Sequence, residues 1–392
     1  MSKNYYRFNN LFYFSFFNII DKFFIFFFPF YIYFLTNDKT LYNDIEYIFS
    51  ISPLLIIFFE LGIKNYFFYG YKITKDRNQF ISSIQSLFNL MILFYSMILI
   101  IVLSLDFDST FLSAFILIKI IQTMVMTFYF SYFRIIDKPS KIFSFSIPFN
   151  MLLYIFVYFL FSKNYVINIQ SVNYIPFVAL ICFNLFFLQK PSHFLKKSKL
   201  IKRSLLYSWP IMLNLLFMAF INQFGKIYAF NFLIEDEMFE LSLVQRIASI
   251  ILLTHTSIMG FFTKTLFLSK NNVFHKKIFL FYSLAITLSA TILVFIASLA
   301  NSMNLFEINM KLLILFVAGT VLWCYNSYFE IYFNSNNRNR YVPVITCIAF
   351  IMYMIIFLLS DEISILRISE IYLYSNLTGF FATMYFLTKI KT

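Results

Sequence analysis

The chain has 392 residues, of which 61% are hydrophobic and only 12% charged. A soluble protein of this size carries about 45–50% apolar and about 25% charged residues, so a water-soluble fold is excluded. The net charge of +13 lies in short loops between apolar runs rather than on a solvated basic domain, which argues against nucleic-acid binding.

A membrane-spanning helix needs about 20 predominantly apolar residues. Apolar runs and their breaks predict twelve spans, at 10–35, 44–70, 80–104, 109–133, 142–162, 171–189, 205–233, 238–267, 278–300, 309–333, 341–360 and 368–388. They leave no room for a separate catalytic domain. The fold class is therefore all-α and polytopic, with multi-pass insertion. The first span has no small-residue cleavage site after it and is predicted to stay as a helix. The 59 Phe and 28 Tyr are too abundant for any aromatic cluster to point to a function. Cys182, Cys324 and Cys347 fall inside spans 6, 10 and 11 and read as small buried hydrophobes rather than a disulfide or metal framework.

Lys and Arg alternate between the two sides of these spans. With the N-terminus inside, the outer loops hold only Lys39, Lys163 and Arg367, while acids such as Asp106, Asp108, Glu235, Asp236, Glu237, Asp361 and Glu362 gather there. Basic residues on the inner side of every loop predict an N-in, C-in topology. The most basic inner loop, from Gln189 to Ser204, separates six spans from six. The predicted division is 1–189, a basic cytoplasmic linker at 190–204, and 205–392. Asp106-Phe-Asp108 has the form of a metal-binding D-x-D, but in so short an outer loop it reads as solvated acid.

The two halves carry a weak repeat. Asn18-Ile-Ile-Asp-Lys22 in span 1 matches Asn222-Gln-Phe-Gly-Lys226 in span 7, each placing Lys one helical turn after Asn. Tyr129-Phe-Ser-Tyr-Phe-Arg-Ile-Ile136 in span 4 matches Tyr325-Asn-Ser-Tyr-Phe-Glu-Ile-Tyr332 in span 10. Spans 1 and 7, and 4 and 10, are the pairs that a six-plus-six duplication equates, and two rocking bundles around a central cavity are its consequence.

Ionisable groups at membrane depth cost about 2.5–3.5 kcal/mol each and so face a bundle interior or a wet cavity. Lys264, Lys311 and Glu330 lie near span ends, where long side chains reach the headgroups. Glu60 and Lys64 are four apart on one helix face and form either a structural pair or part of a site. His255 stands alone in an apolar stretch, as an interhelical hydrogen-bonding group or a proton relay. Lys22, Lys119, Lys226 and Arg246 outnumber Asp21 and Glu60, because adjacent positions such as Asp21 and Lys22 do not face each other on a helix. The expected cationic cavity thus holds Lys22, Lys119, Lys226, Arg246 and Lys64, with Asp21, Glu60 and His255 as ion-coupling candidates. Fixed positive charge in a low-dielectric wall attracts an anion, here a phosphate or carboxylate. There is no Walker A loop and no H-E-x-x-H or Cys/His metal spacing, so neither ATP hydrolysis nor a metal site is expected. Asn376-Leu-Thr378 lies inside span 12, out of reach of glycosylation.

Ser204-Leu-Leu-Tyr-Ser-Trp-Pro210, Asn222 to Lys226, the acidic loop and Leu241-Ser-Leu-Val-Gln-Arg246 resemble the start of the second half of bacterial O-antigen flippases. These are the Wzx-type polysaccharide exporters of the multidrug/oligosaccharidyl-lipid/polysaccharide (MOP) superfamily. Glu60-Leu-Gly62 with Lys64 is similar to the family's acid-x-Gly segment in span 2. The resemblance implies a MOP/MATE-like pair of six-helix bundles in the bacterial inner membrane. Its cargo would be an undecaprenyl-diphosphate-linked oligosaccharide, an O-antigen or capsule repeat unit, carried by alternating access. Transport would be coupled to H⁺ or Na⁺, without a bound cofactor, among membrane lipids and other polysaccharide-assembly proteins. Lys226 matches a basic residue that commonly follows an Asp in that family, and Gly225 stands where the Asp would be. Two other readings remain: a MATE-like antiporter of small molecules, which calls for net acid in the cavity, and a membrane-embedded polysaccharide polymerase or ligase, which calls for a large external loop that is missing here.

Overall fold

The computed structural model describes residues 2–60, 62–104, 110–136, 139–163, 197–268, 272–303, 308–335, 338, 340–360 and 362–391. The predicted sixth span, Cys182, the Asp106–Asp108 loop and most of the basic central loop lie outside the described residues. Secondary structure among the described residues is helical. In chain order the helices are α1 (Ser2–Thr36), α2 (Lys39–Phe59), α3 (Ile63–Ile73), α4 (Arg77–Ser104) and α5 (Thr110–Ile135). After a 3₁₀ turn (Pro139–Ile142) come α6 (Phe143–Ser162), α7 (Lys197–Phe232), α8 (Glu235–Ala248) and α9 (Ile251–Leu268). The chain ends with α10 (Asn272–Ser302), α11 (Met310–Ser335), α12 (Tyr341–Leu358) and α13 (Ile365–Lys391). Nine of them are long and apolar enough to cross a membrane, and α8 with α9 makes a tenth, bent span.

The outer surface has the opposite polarity from a soluble protein. On α10, Leu280, Leu284, Leu288 and Ile292 are exposed at one-turn spacing. The other face buries Ile278, Tyr282, Ile286 and Leu293. A helix apolar all round needs a non-aqueous solvent on its open side, which is lipid. This is a multi-pass membrane protein.

Two predicted spans are interrupted. Span 2 becomes α2 and α3 because Gly62 takes a left-handed conformation at φ 67°, a region that a glycine enters without steric cost. Span 8 becomes α8 and α9, which meet at about 40°. Acids in the first turn of α8 (Glu235, Asp236, Glu237) and Arg246 in its last turn complement the helix dipole. The Ser249 hydroxyl donates to the Arg246 carbonyl at 2.7 Å, diverting a backbone acceptor at the bend.

The chain forms two compact units. One comprises Ile20–Met212. Within it α5 is central and packs on α2, α3 and α4, while Phe28, Ile32, Ile45, Ile48, Leu153 and Val157 form a core from α1, α2 and α6. The other unit comprises Met1–Ile19 with Leu213–Thr392. There α11 is central, packed on α8, α9, α10, α12 and α13 around Leu312, Leu313, Phe316, Cys324 and Tyr328. Each unit thus organises itself around the helix of its fourth span and breaks the helix of its second, which is what an internal repeat produces.

Candidate functional site

Among the described residues, the fully charged side chains that are deeply buried divide by unit. Asp21 and Glu46 lie in the Ile20–Met212 unit; Lys226 and Arg246 lie in the other. Glu46 is 0% exposed and is missing from the sequence-derived candidates, although it sits in the apolar run of span 2. Among the described residues there are thus two buried acids and two buried bases, the bases both in one unit.

In the Ile20–Met212 unit, Asp21 accepts from the Asn150 side chain at 3.1 Å, which ties α1 to α6. The Lys22 ammonium lies 3.7 Å from the same carboxylate and is 40% exposed. Adjacent helix positions were not expected to meet, but the four-carbon stem of lysine curls back far enough to do so. Glu60 accepts from Thr127 of α5 at 2.8 Å, and no Glu60–Lys64 ion pair occurs among the described residues. The one-face spacing expected of that pair is broken by the turn at Gly62. Lys64 is half-buried on α3. The Lys119 ammonium sits 4.2 Å from the Phe49 ring centre and 3.5 Å from Gln122 Oε1, a cation–π contact on a half-buried side chain. At the break itself, the Ser208 hydroxyl donates to the Gly62 carbonyl at 2.7 Å.

In the other unit, His255 on α9 is buried between Tyr282 of α10, whose hydroxyl is 2.7 Å from Nδ1, and Ser327 of α11, 3.4 Å from Nε2. Tyr282 in turn donates to the Cys324 carbonyl at 2.7 Å. Gly225 is accounted for by packing. A Cβ there would meet Ile368 Cγ2, so α7 and α13 approach too closely for any side chain. Lys311 is exposed, and the Lys264 side chain lies outside the described residues.

The same unit contains a site that the sequence candidates do not include. Asn214 (α7), Asn326 and Glu330 (α11), Thr346 (α12) and Thr383 (α13) line a small cavity of about 10 Å³, with Met218, Phe333, Val342 and Ile345 as its apolar walls. Its polar end admits about one water-sized occupant. Asn326 donates to the Asn376 carbonyl at 3.1 Å and lies 3.5 Å from the Thr383 hydroxyl, which fixes its orientation. Asn214 is 0% exposed, and both ends of its amide lack a hydrogen-bond partner. Leaving such a group unpaired costs about 1–3 kcal/mol, so the amide is available to a polar ligand in the cavity. Amide oxygens, threonine hydroxyls and one carboxylate form a hard oxygen set, of the kind that takes a monovalent cation or a proton. No cluster of three or more His, Cys, Asp or Glu that could hold a transition metal occurs among the described residues. The i,i+4 spacing of Asn326 and Glu330 on one apolar helix is the sequence signal that could have found the cavity.

No protein-family model matches the chain, and no curated protein matches it in sequence. Among solved structures, it is similar to a mutant of the Vibrio cholerae MATE transporter VcmN, with a TM-score of 0.61 and 14% identity over 99% of each chain. It is also similar to an inward-facing multidrug-resistance MATE family transporter of the MOP superfamily, with a TM-score of 0.60 and 12% identity over 96% of this chain and 95% of that one. The chain has the MATE/MOP transporter fold over nearly its whole length.

Proposed function

We propose that the protein is an alternating-access exporter of the Wzx type. It moves a lipid-diphosphate-linked oligosaccharide across the bacterial inner membrane, coupled to a monovalent cation held at the Asn214–Glu330 cavity. The observation that carries the anionic cargo is the burial of Lys226 and Arg246 on consecutive spans of one unit. A diphosphate matches the chemistry of an ammonium and a guanidinium, both of which donate charge-assisted hydrogen bonds to phosphate oxygens. Lysine suits a transient hold because its ammonium is a mobile point charge, whereas arginine grips through a rigid fork. The lipid tail can stay in the bilayer while the polar head crosses about 30 Å of hydrocarbon.

A second reading, a MATE-like antiporter of small cations, is favoured by one observation, the buried Asp21 and Glu46 of the Ile20–Met212 unit. Proteoliposomes separate the two. Purified protein should translocate a labelled polyprenyl-diphosphate oligosaccharide when a Na⁺ or H⁺ gradient is applied, and Lys226→Gln should slow this at least tenfold. Efflux of tetraphenylphosphonium with no movement of the lipid-linked glycan would establish the second reading and reject the first.

A further inference from the structure

We propose that the C-terminal turn of α5, with the 3₁₀ turn and the start of α6 that follow it, forms a binding site for a phosphate group, and that Arg134 is its principal ligand. The Arg134 guanidinium stacks 3.8 Å from the centre of the Phe130 ring. Its Nε is shut off from solvent and has no acceptor, and the side chain makes no hydrogen bond or ion pair among the described residues. Phe130 packs on Phe143 at 6.1 Å between ring centres. One turn further along α6, the buried hydroxyl of Ser146 also lacks a partner. Lys141 on the 3₁₀ turn brings a second positive charge, its ammonium 5.6 Å from the Phe133 ring centre.

An arginine in the last turn of a helix can simply complement the dipole. That role is met by a side chain in water and does not require a sealed Nε without an acceptor. A guanidinium with no ion pair among the described residues, an ammonium on the following 3₁₀ turn and a hydroxyl donor are the kinds of group that receive phosphate oxygens, with the arginine fork binding two at once. The repeat gives independent support. Aligning Tyr129–Ile136 with Tyr325–Tyr332 puts Arg134 in the place of Glu330, which lines the cavity of the other unit. One helix position thus carries an ionisable side chain in both halves, with the charge reversed. The site takes either an anionic lipid headgroup or a soluble phosphate compound, and it does not depend on the cargo proposed above.

The full chain, purified in lipid-free detergent, is titrated with inorganic pyrophosphate and followed by thermal unfolding. A parallel arm compares nanodiscs of phosphatidylglycerol with nanodiscs of phosphatidylcholine. Pyrophosphate should stabilise the wild type, Arg134→Gln should weaken that binding tenfold or more, and Lys141→Gln should weaken it less. Stabilisation by phosphatidylglycerol that Arg134→Gln removes would identify a lipid headgroup as the source, and an effect of pyrophosphate alone would identify a soluble ligand. Equal pyrophosphate affinity in wild type and Arg134→Gln, or an equal loss in Lys311→Gln of the other unit, overturns the site. Should Arg134→Gln fail to fold, Lys141→Gln and Ser146→Ala carry the test, and unchanged affinity in both overturns it.

Discussion

Replacing Asn214 with leucine, a near-isostere without polar atoms, tests whether the cavity is built for an occupant. In the empty protein both ends of this fully buried amide are unpaired. Removing them should recover about 1–3 kcal/mol, the usual cost of a buried unsatisfied group. For a unit of this size each kcal/mol moves Tm by about 2–4 °C, so Asn214→Leu in choline buffer should unfold on the order of 5 °C above wild type. With cation bound the order reverses. A ligand at about 100 times its Kd stabilises the native state by about 2.7 kcal/mol, so wild type should gain several degrees when sodium replaces choline, whereas Asn214→Leu should gain nothing. Differential scanning fluorimetry on detergent-purified protein reads both effects. A variant that is less stable than wild type without sodium, and that still responds to sodium, would show the amide to be an ordinary packing group and the cavity to be a void.

Two further substitutions test backbone positions. Gly62→Ala places a Cβ against Ser208 in a left-handed conformation, adding about 1–2 kcal/mol of backbone strain to about 1–3 kcal/mol of overpacking. The variant should lose several degrees in Tm, and Ser208→Gly should restore part of the loss; an unchanged Tm in Gly62→Ala would show that the break is not held as described. Gly225→Ala should cost about 1–3 kcal/mol in the wild-type background and much less beside Ile368→Ala, which removes the methyl group it strikes. A double-mutant cycle in which the two costs simply add would refute the close approach of α7 and α13.

The sequence made the helices legible because hydrophobic burial in lipid is read directly from long apolar runs, and α4, α10 and α11 begin and end within a few residues of the predicted spans. The breaks were less legible. Glycine at position 62 is a signal only once its backbone is known to be left-handed, and the bend after Ala248 has neither glycine nor proline to announce it. Charge placement was less legible for a related reason. Counting ionisable groups along single helices overlooks Glu46 and separates Asp21 from Lys22, whereas the folded chain sorts charges by the faces that meet across helices.

The cavity escaped detection most completely, because its leading member is a neutral amide among leucines and methionines, unremarkable until its partners are counted. That failure bears on how such a chain is read. In a membrane protein the cheapest buried residue is apolar, so each amide or hydroxyl kept at depth must be held by another helix or by a ligand. Asn326 is held by Asn376 and Asn150 by Asp21, whereas Asn214 is held by nothing described. The unheld group, rather than the charged one, is therefore the sharper sign of an occupant. A lysine or glutamate at depth can be neutralised by its own proton equilibrium, but an amide has no such escape and stays costly until something binds.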